Sequence, residues 1–191
     1  MLCKGFLNLI DIDTAQRKSK GVFWGDKVKE IYKNLLIEFV EIVKEKFMNH
    51  LVSVVVFGSV ARNMANKYSD IDVCIVLRDL PKSSYKRSKM IYPCIKELQE
   101  RESYQFLCQS GYYSEISPII YTPEEIVDTK PVFLDMVDDA VLMYDDGTFD
   151  KKLKELRKRM EELGSQKVYL GDGTWYWKLK PDLKFGEIFE I

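Results

Sequence analysis

One histidine, His50, is all that 191 residues supply, and the four cysteines, Cys3, Cys74, Cys94 and Cys108, share no CxxC-type spacing. A zinc site built on such residues is therefore not expected. Cys74 lies within an apolar run and reads as a buried reduced thiol. Glycine and proline are sparse, at ten and six residues, and there is neither an internal repeat nor a low-complexity stretch. No window is apolar for the length a membrane span needs. The opening "MLCKGFLNLIDID" is short in apolar residues, turns acidic at once and lacks a small-residue cleavage site, so it does not read as a signal peptide. The expectation is a cytoplasmic protein with no membrane partner. Charge of one sign is missing too: 29 basic residues face 30 acidic ones, a formal net of −1. That balance argues against a broad electrostatic footprint for nucleic acid, though not against a local basic groove.

What is present is an ordinary globular composition, 46% hydrophobic and 31% charged, in a chain long enough to bury a proper core. Val28, Ile31, Tyr32, Leu35, Leu36, Phe39, Val40 and Val43 recur at three- and four-residue steps, which predicts an amphipathic helix from an Asp26 N-cap to about His50. Before it, "FLNLIDI" reads as a short strand. Leu51 to Phe57 is a β-branched run suited to a strand covered on both faces. "VARNMANK" reads as a short helix and "SDIDVCIVL" as a second strand. A helical segment follows Pro81, with Pro93 either kinking it or opening a second helix. "SGYYSEISPIIY" reads as a third strand. Thr122-Pro123-Glu124-Glu125 has both a capping box and Pro at N1, the marks of a helix start. Further helices are predicted over about 132–144 and 149–163, and Asp172-Gly173 marks a hairpin turn in the aromatic tail.

Two aspartates interrupt the second strand. Residues two apart on a strand share a face, so Asp70 and Asp72 project together, about 6–7 Å apart at the backbone. Paired carboxylates repel unless a cation offsets them. Magnesium suits such oxygen donors and leaves room for substrate phosphates, and two ions can clamp the attacking and leaving oxygens of a phosphoryl or nucleotidyl transfer. The alternative is a solvated strand end paired with Arg62 or a lysine. Gly58 ends the first strand and lets a ligand approach the backbone. Ser59 adds a hydroxyl beside the free N–H groups of the next turn, a setting that favours phosphate; it also suits simple capping.

"FGSVARNMANKYSDIDV" resembles the signature of the DNA polymerase β-like nucleotidyltransferase superfamily, with ten residues between Ser59 and Asp70. The details "GSVAR" and "SDIDV" look most like small stand-alone prokaryotic members, some of which are antitoxins beside HEPN-type toxins. The resemblance is strongest over 54–77. It implies an α/β (α+β) nucleotidyltransferase fold, a short mixed sheet flanked by helices. The domain would span residues 1–148 with its core motif at 51–121, and residues 149–191 would add a helix and hairpin packed on it. It further implies transfer of a nucleoside monophosphate from a nucleoside triphosphate to a hydroxyl, with Mg²⁺ (two ions) held by Asp70, Asp72 and a third carboxylate. Glu115 best matches that third position, as ligand or base. Gly58, Ser59, Arg62 and Ser69 fall on the nucleotide side, and Arg62 reads equally well as the partner of an acidic neighbour. Asn63 stands where small members often carry glycine, and asparagine tolerates left-handed backbone better than most residues. The acceptor is open: a protein side chain, an RNA end or a small molecule. The competing class is an antitoxin-like or regulatory module that acts by binding a protein, for instance a HEPN-type partner.

His50 reads as the end of the first helix, where positive charge suits the dipole. Trp175, Tyr176 and Trp177, with Lys178 and Lys180, suit either a nucleic-acid platform or, the favoured reading, a hairpin packed on the domain. The run "KKLKELRKRMEEL" interleaves acids with bases and reads as a solvated helix face.

Overall fold

The computed structural model of the chain describes residues 27–171 and 174–191. The expected "FLNLIDI" strand, the Asp26 cap and the Asp172-Gly173 turn lie outside them. Helix α1 spans Glu30–Phe47, with Lys29 at its cap and a 3₁₀ turn over Met48–His50 leading to strand β1, Leu51–Phe57. Helix α2 is a single turn, Gly58–Ala61, so it is shorter than and offset from the predicted one, and residues 62–70 form turns. Strand β2, Ile71–Leu77, begins just after Asp70. Helix α3, Ser84–Gln99, runs through Pro93, and a separate helix α4 starts at Glu102 and ends at Gln109. Strand β3 covers Ile116–Tyr121, leaving Glu115 immediately before it. Helix α5, Pro131–Asp139, is followed by β4, Val141–Asp145, then helix α6, Thr148–Glu162. Strands β5, Gln166–Tyr169, and β6, Trp175–Lys178, pair antiparallel.

The main sheet has the order β3-β2-β1-β4, parallel between β2 and β3 and antiparallel elsewhere. It is a four-stranded mixed sheet flanked by helices, as the sequence led one to expect. Helices α1, α3 and α4 cover one face, burying Tyr32, Leu35, Phe39, Ile91, Leu98 and Leu107 against Val54, Val56, Ile71, Val73 and Ile75. Helices α5 and α6 cover the other, burying Phe133, Met136, Phe149, Leu153 and Leu156 against Val52, Val55, Cys74 and Val76. Coverage on both sides explains the unbroken apolar reading of β1 and β2.

Two expectations fail locally. The helix predicted through about residue 144 stops at Asp139, where Ala140 turns extended, with ψ of 143°. Val141 and Met143 then point into the α1 side of the core as β4 pairs with β1. The Thr122 capping box forms: Glu125 N–H donates to Thr122 Oγ1 at 3.3 Å and Thr122 N–H donates to Glu125 Oε2 at 2.9 Å. It closes only turns over residues 123–127, because the Glu125 carboxylate is also gripped by Arg87 at 2.6 and 2.9 Å. No helix among the described residues is long and apolar enough to cross a membrane.

Candidate active site

The site lies where β1 ends and β2 and β3 begin. Gly58 has φ +71°, a conformation that glycine adopts without strain. It is also crowded: a Cβ there would overlap Asp72 Oδ2 and sit 3.1 Å from Asp72 Cγ. The Asp72 carboxylate is therefore laid directly on the Gly58 backbone. Register produces this approach, since Phe57 is the cross-strand partner of Asp72 on one side and Ser117 on the other. Asp72 shares the parity of Cys74 and Val76, so it faces the α5–α6 side while Ile71 and Val73 enter the opposite core.

Asp70 sits at the exposed end of the loop that feeds β2. That loop is closed by side chains: Ser69 Oγ accepts Asn66 N–H at 2.9 Å, and Asn66 Oδ1 accepts Tyr68 N–H at 2.8 Å. Ser69 thus shapes the turn that delivers Asp70. Asn63 adopts φ +58°, the left-handed backbone anticipated for it, and its N–H donates to Val60 O at 3.2 Å. Met64 N–H reaches back to Ser59 O at 2.9 Å, which winds the chain tightly behind the Gly-Ser pair.

Burial pushes the Asp72 carboxyl up from the ordinary aspartate range, the Asp70 charge pushes it further, and the Arg62 guanidinium pulls it back. Asp72 thus feels both Asp70 and Arg62. Of the two roles that the sequence left open for Arg62, the structure shows the pairing with acidic neighbours: its field reaches Asp72, and its Nη1 lies 3.9 Å from Asp139. Glu115 sits one strand over. Its carbonyl accepts Ile71 N–H at 2.8 Å, which fixes the chain at the mouth of β3. Its carboxylate is exposed, and its field is felt by Tyr104 on α4. Among the described residues no three His, Cys, Asp or Glu side chains converge as a ready metal cage. The structure brings Gly58, Asp70, Asp72 and Arg62 together and leaves Glu115 at the rim.

The donor set fits a hard divalent cation. It consists of the neighbouring Asp70 and Asp72 carboxylates, of which Asp72 is held up by burial and by the Asp70 charge and is partly offset by the Arg62 guanidinium.

Several neighbours carried no motif to mark them. Tyr68 and Tyr113 stack with ring centroids 5.9 Å apart, both exposed, each two residues ahead of an acid of the predicted set. Tyr113 N–H donates to Lys67 O at 2.7 Å, tying the two loops. Asp139 and Trp175 flank Arg62 from elements distant in sequence. The only local signal was the concentration of aromatic residues in the tail.

Residues 36–131 match the family model of the nucleotidyltransferase domain, half of the chain, and the protein belongs to that family. It is a nucleotidyltransferase. A Methanocaldococcus jannaschii chain provisionally named a protein adenylyltransferase is 28% identical over 141 residues, covering 71% of this chain and 89% of the relative. Among solved structures, a provisionally named nucleotidyltransferase from Sulfolobus solfataricus is similar with TM-score 0.36 and 21% identity, over 64% of this chain and 94% of the other. A chain from the Shewanella oneidensis complex of a tri-AMPylated HEPN toxin with an MNT antitoxin is similar with TM-score 0.39 and 12% identity, over 69% and 92%.

Proposed function

We propose that the protein transfers a nucleoside monophosphate from a nucleoside triphosphate to a hydroxyl, with Mg²⁺ as cofactor and pyrophosphate as leaving group. The observation that carries this reading is the contact of the Asp72 carboxylate with the Gly58 backbone. It supports a site in which the Gly58 turn would accommodate phosphate and the Asp72 carboxylate would bind metal, with no side chain between them. Asp70 and Asp72 would hold the metal, two ions in the full site, and bound Mg²⁺ would supply charge neutralisation for the phosphates. Gly58 would face the β- and γ-phosphates with the side of its backbone that Asp72 does not cover, Ser59 would offer its hydroxyl, Arg62 would add positive charge, and Ser69 keeps the Asp70 loop in shape.

The order of these groups along the sheet end sets a direction. The leaving phosphates would be anchored at the end of β1, and the aspartates stand at the start of β2. The acceptor oxygen must approach the α-phosphorus opposite the leaving group, hence from the β3 side, where Glu115 stands. The acceptor oxygen–phosphorus bond forms, the bond from the α-phosphorus to the bridging oxygen breaks, and Glu115 takes the acceptor proton. To serve, its carboxylate must swing inward from the rim.

A hydroxyl on a partner protein is the acceptor we favour, supported by the name of the M. jannaschii relative. A HEPN-type partner is the candidate that the "GSVAR" and "SDIDV" resemblance supports. A cytoplasmic setting is consistent with free thiols at Cys74, Cys94 and Cys108.

Calorimetric titration of the four ribonucleoside triphosphates, with and without Mg²⁺, tests the site in wild type and in Asp70→Asn/Asp72→Asn. Mg²⁺-dependent binding to wild type that the variant loses is expected. Equal behaviour of the two proteins would overturn the reading, and binding without pyrophosphate release in the presence of a partner would move it to the regulatory class.

A further inference from the structure

The β5–β6 hairpin lies outside residues 36–131, the part matched to the family, yet it is latched beside Arg62. Lys167 pairs across the hairpin from Trp177, so Lys167, Trp175 and Trp177 share one face. Both indole N–H groups donate to a single oxygen, Asp135 Oδ1 on α5, at 2.9 and 3.0 Å. Lys167 Nζ lies 4.7 Å from the Trp175 ring centroid and 5.5 Å from that of Trp177. The same ammonium stands 3.8 Å from Asp138 and 3.6 Å from Asp139. The Arg62 guanidinium carbon rests 4.7 Å from the Trp175 centroid.

Arg62 is thus held by a ring face rather than by a close carboxylate. Its one ion pair among the described residues is loose, at 3.9 Å to Asp139, and Lys167 competes for that carboxylate. Arg62 Nε is buried and has no hydrogen-bond partner among the described residues. Leaving a buried donor unpaired is costly, so a guanidinium fixed in this way is not explained by the fold's own stability. The guanidinium lies against the ring face, is only about a fifth exposed and keeps donors that no close carboxylate saturates, and such a group is free to bond phosphate oxygens.

We infer that Trp175 is a positioning residue for nucleotide binding: it holds the Arg62 guanidinium toward the phosphates of the nucleoside triphosphate, making the C-terminal hairpin one wall of the nucleotide site. The inference rests on the nucleotidyl-transfer reading given above. Asp135 is the anchor, since it fixes both indoles at once, and Lys167 keeps Asp139 from drawing Arg62 into a tight pair.

The test is titration of Mg²⁺–ATP into the full chain carrying Trp175→Ala, Trp175→Phe, Trp175→Met, Arg62→Gln, or Arg62→Gln with Trp175→Ala. Trp175→Ala should bind about tenfold more weakly, the scale of a partly desolvated cation–ring contact, and Arg62→Gln should match it. Trp175→Phe keeps a ring face but loses the N–H bond to Asp135, so it should fall between wild type and Trp175→Ala. Trp175→Met fills the space without a ring face and should behave as Trp175→Ala. The double variant should be no weaker than either single one, because both remove the same contact. Tyr176→Ala, on the exposed opposite face of β6, should bind as wild type does. Normal binding by Trp175→Ala, equal binding by the Met and Phe variants, or losses that add in the double variant would each overturn the inference while leaving the nucleotide site standing. Wild type indistinguishable from Asp70→Asn/Asp72→Asn would overturn both.

Discussion

Asp72 is the residue on which fold and chemistry pull in opposite directions. Burial and the neighbouring Asp70 raise its pKa above the ordinary 3.8. A group so raised contributes stability below its unfolded value and loses it as pH rises through the folded value. At neutral pH the ionised Asp72 is therefore a destabilising group. Asp72→Asn should raise the thermal midpoint of the metal-free protein by a few degrees, measured by calorimetry in chelator; added Mg²⁺ should then stabilise wild type and leave the variant unmoved. A fall in the midpoint would show that the carboxylate is structural. Gly58 carries the opposite prediction. Its φ of +71° and its contact with Asp72 leave no room for a methyl group. Gly58→Ala should cost about 1–3 kcal/mol in a urea titration and weaken nucleotide binding, because the new Cβ must push the Asp72 carboxylate aside.

Among the elements, the segment after β3 shows how a local signal is overruled. Thr122 and Glu125 form the reciprocal bonds of a helix start, yet no helix follows. Arg87 on α3 takes the Glu125 carboxylate in a two-pronged pair and also bonds Pro81 O at 2.6 Å and Ile120 O at 3.2 Å. The turn is thus held to the sheet by a tertiary contact that no local pattern records. The Arg87 hydrogen bond holds the Glu125 carboxyl below the ordinary 4.5, against a smaller opposing effect of burial. The stability linked to it is present above pH 4.5 and lost as pH falls through the lower folded value. Glu125→Gln should flatten that part of the acid denaturation curve. At neutral pH it should cost about 1–2 kcal/mol, less than for a fully buried pair because Glu125 keeps contact with solvent. An unchanged acid limb would contradict the assignment. The same limit explains the missed strand β4: Val141 and Met143 continue a plausible helical spacing, and only pairing with β1 distinguishes strand from helix there. Strands β1 and β2 were legible because both faces are covered and their composition shows it. The aspartates were legible because they break that composition. Trp175, Lys167 and Asp139 were not, since their approach to Arg62 depends on how α5 and the hairpin dock.

For the whole molecule, the sheet places one apolar layer under α1, α3 and α4 and another under α5 and α6, and the candidate site stands where neither layer closes. The first face was readable from the periodicity of α1. The second was only half readable, because the helix assignment between 132 and 144 merged α5 with β4. Among the described residues the sheet also ends, on the β3 side, in an outermost strand of sequence "ISPIIY". An apolar run with one unpaired margin is a template on which a strand from another molecule can dock. Pro118, placed beside Val73, supplies no N–H, and such a gap is tolerated only where one side of the strand needs no partner. The ladder of donors along that margin is therefore interrupted near its middle. The chain keeps a greasy border beside its candidate site while offering neighbouring molecules a poor surface for sheet-to-sheet growth.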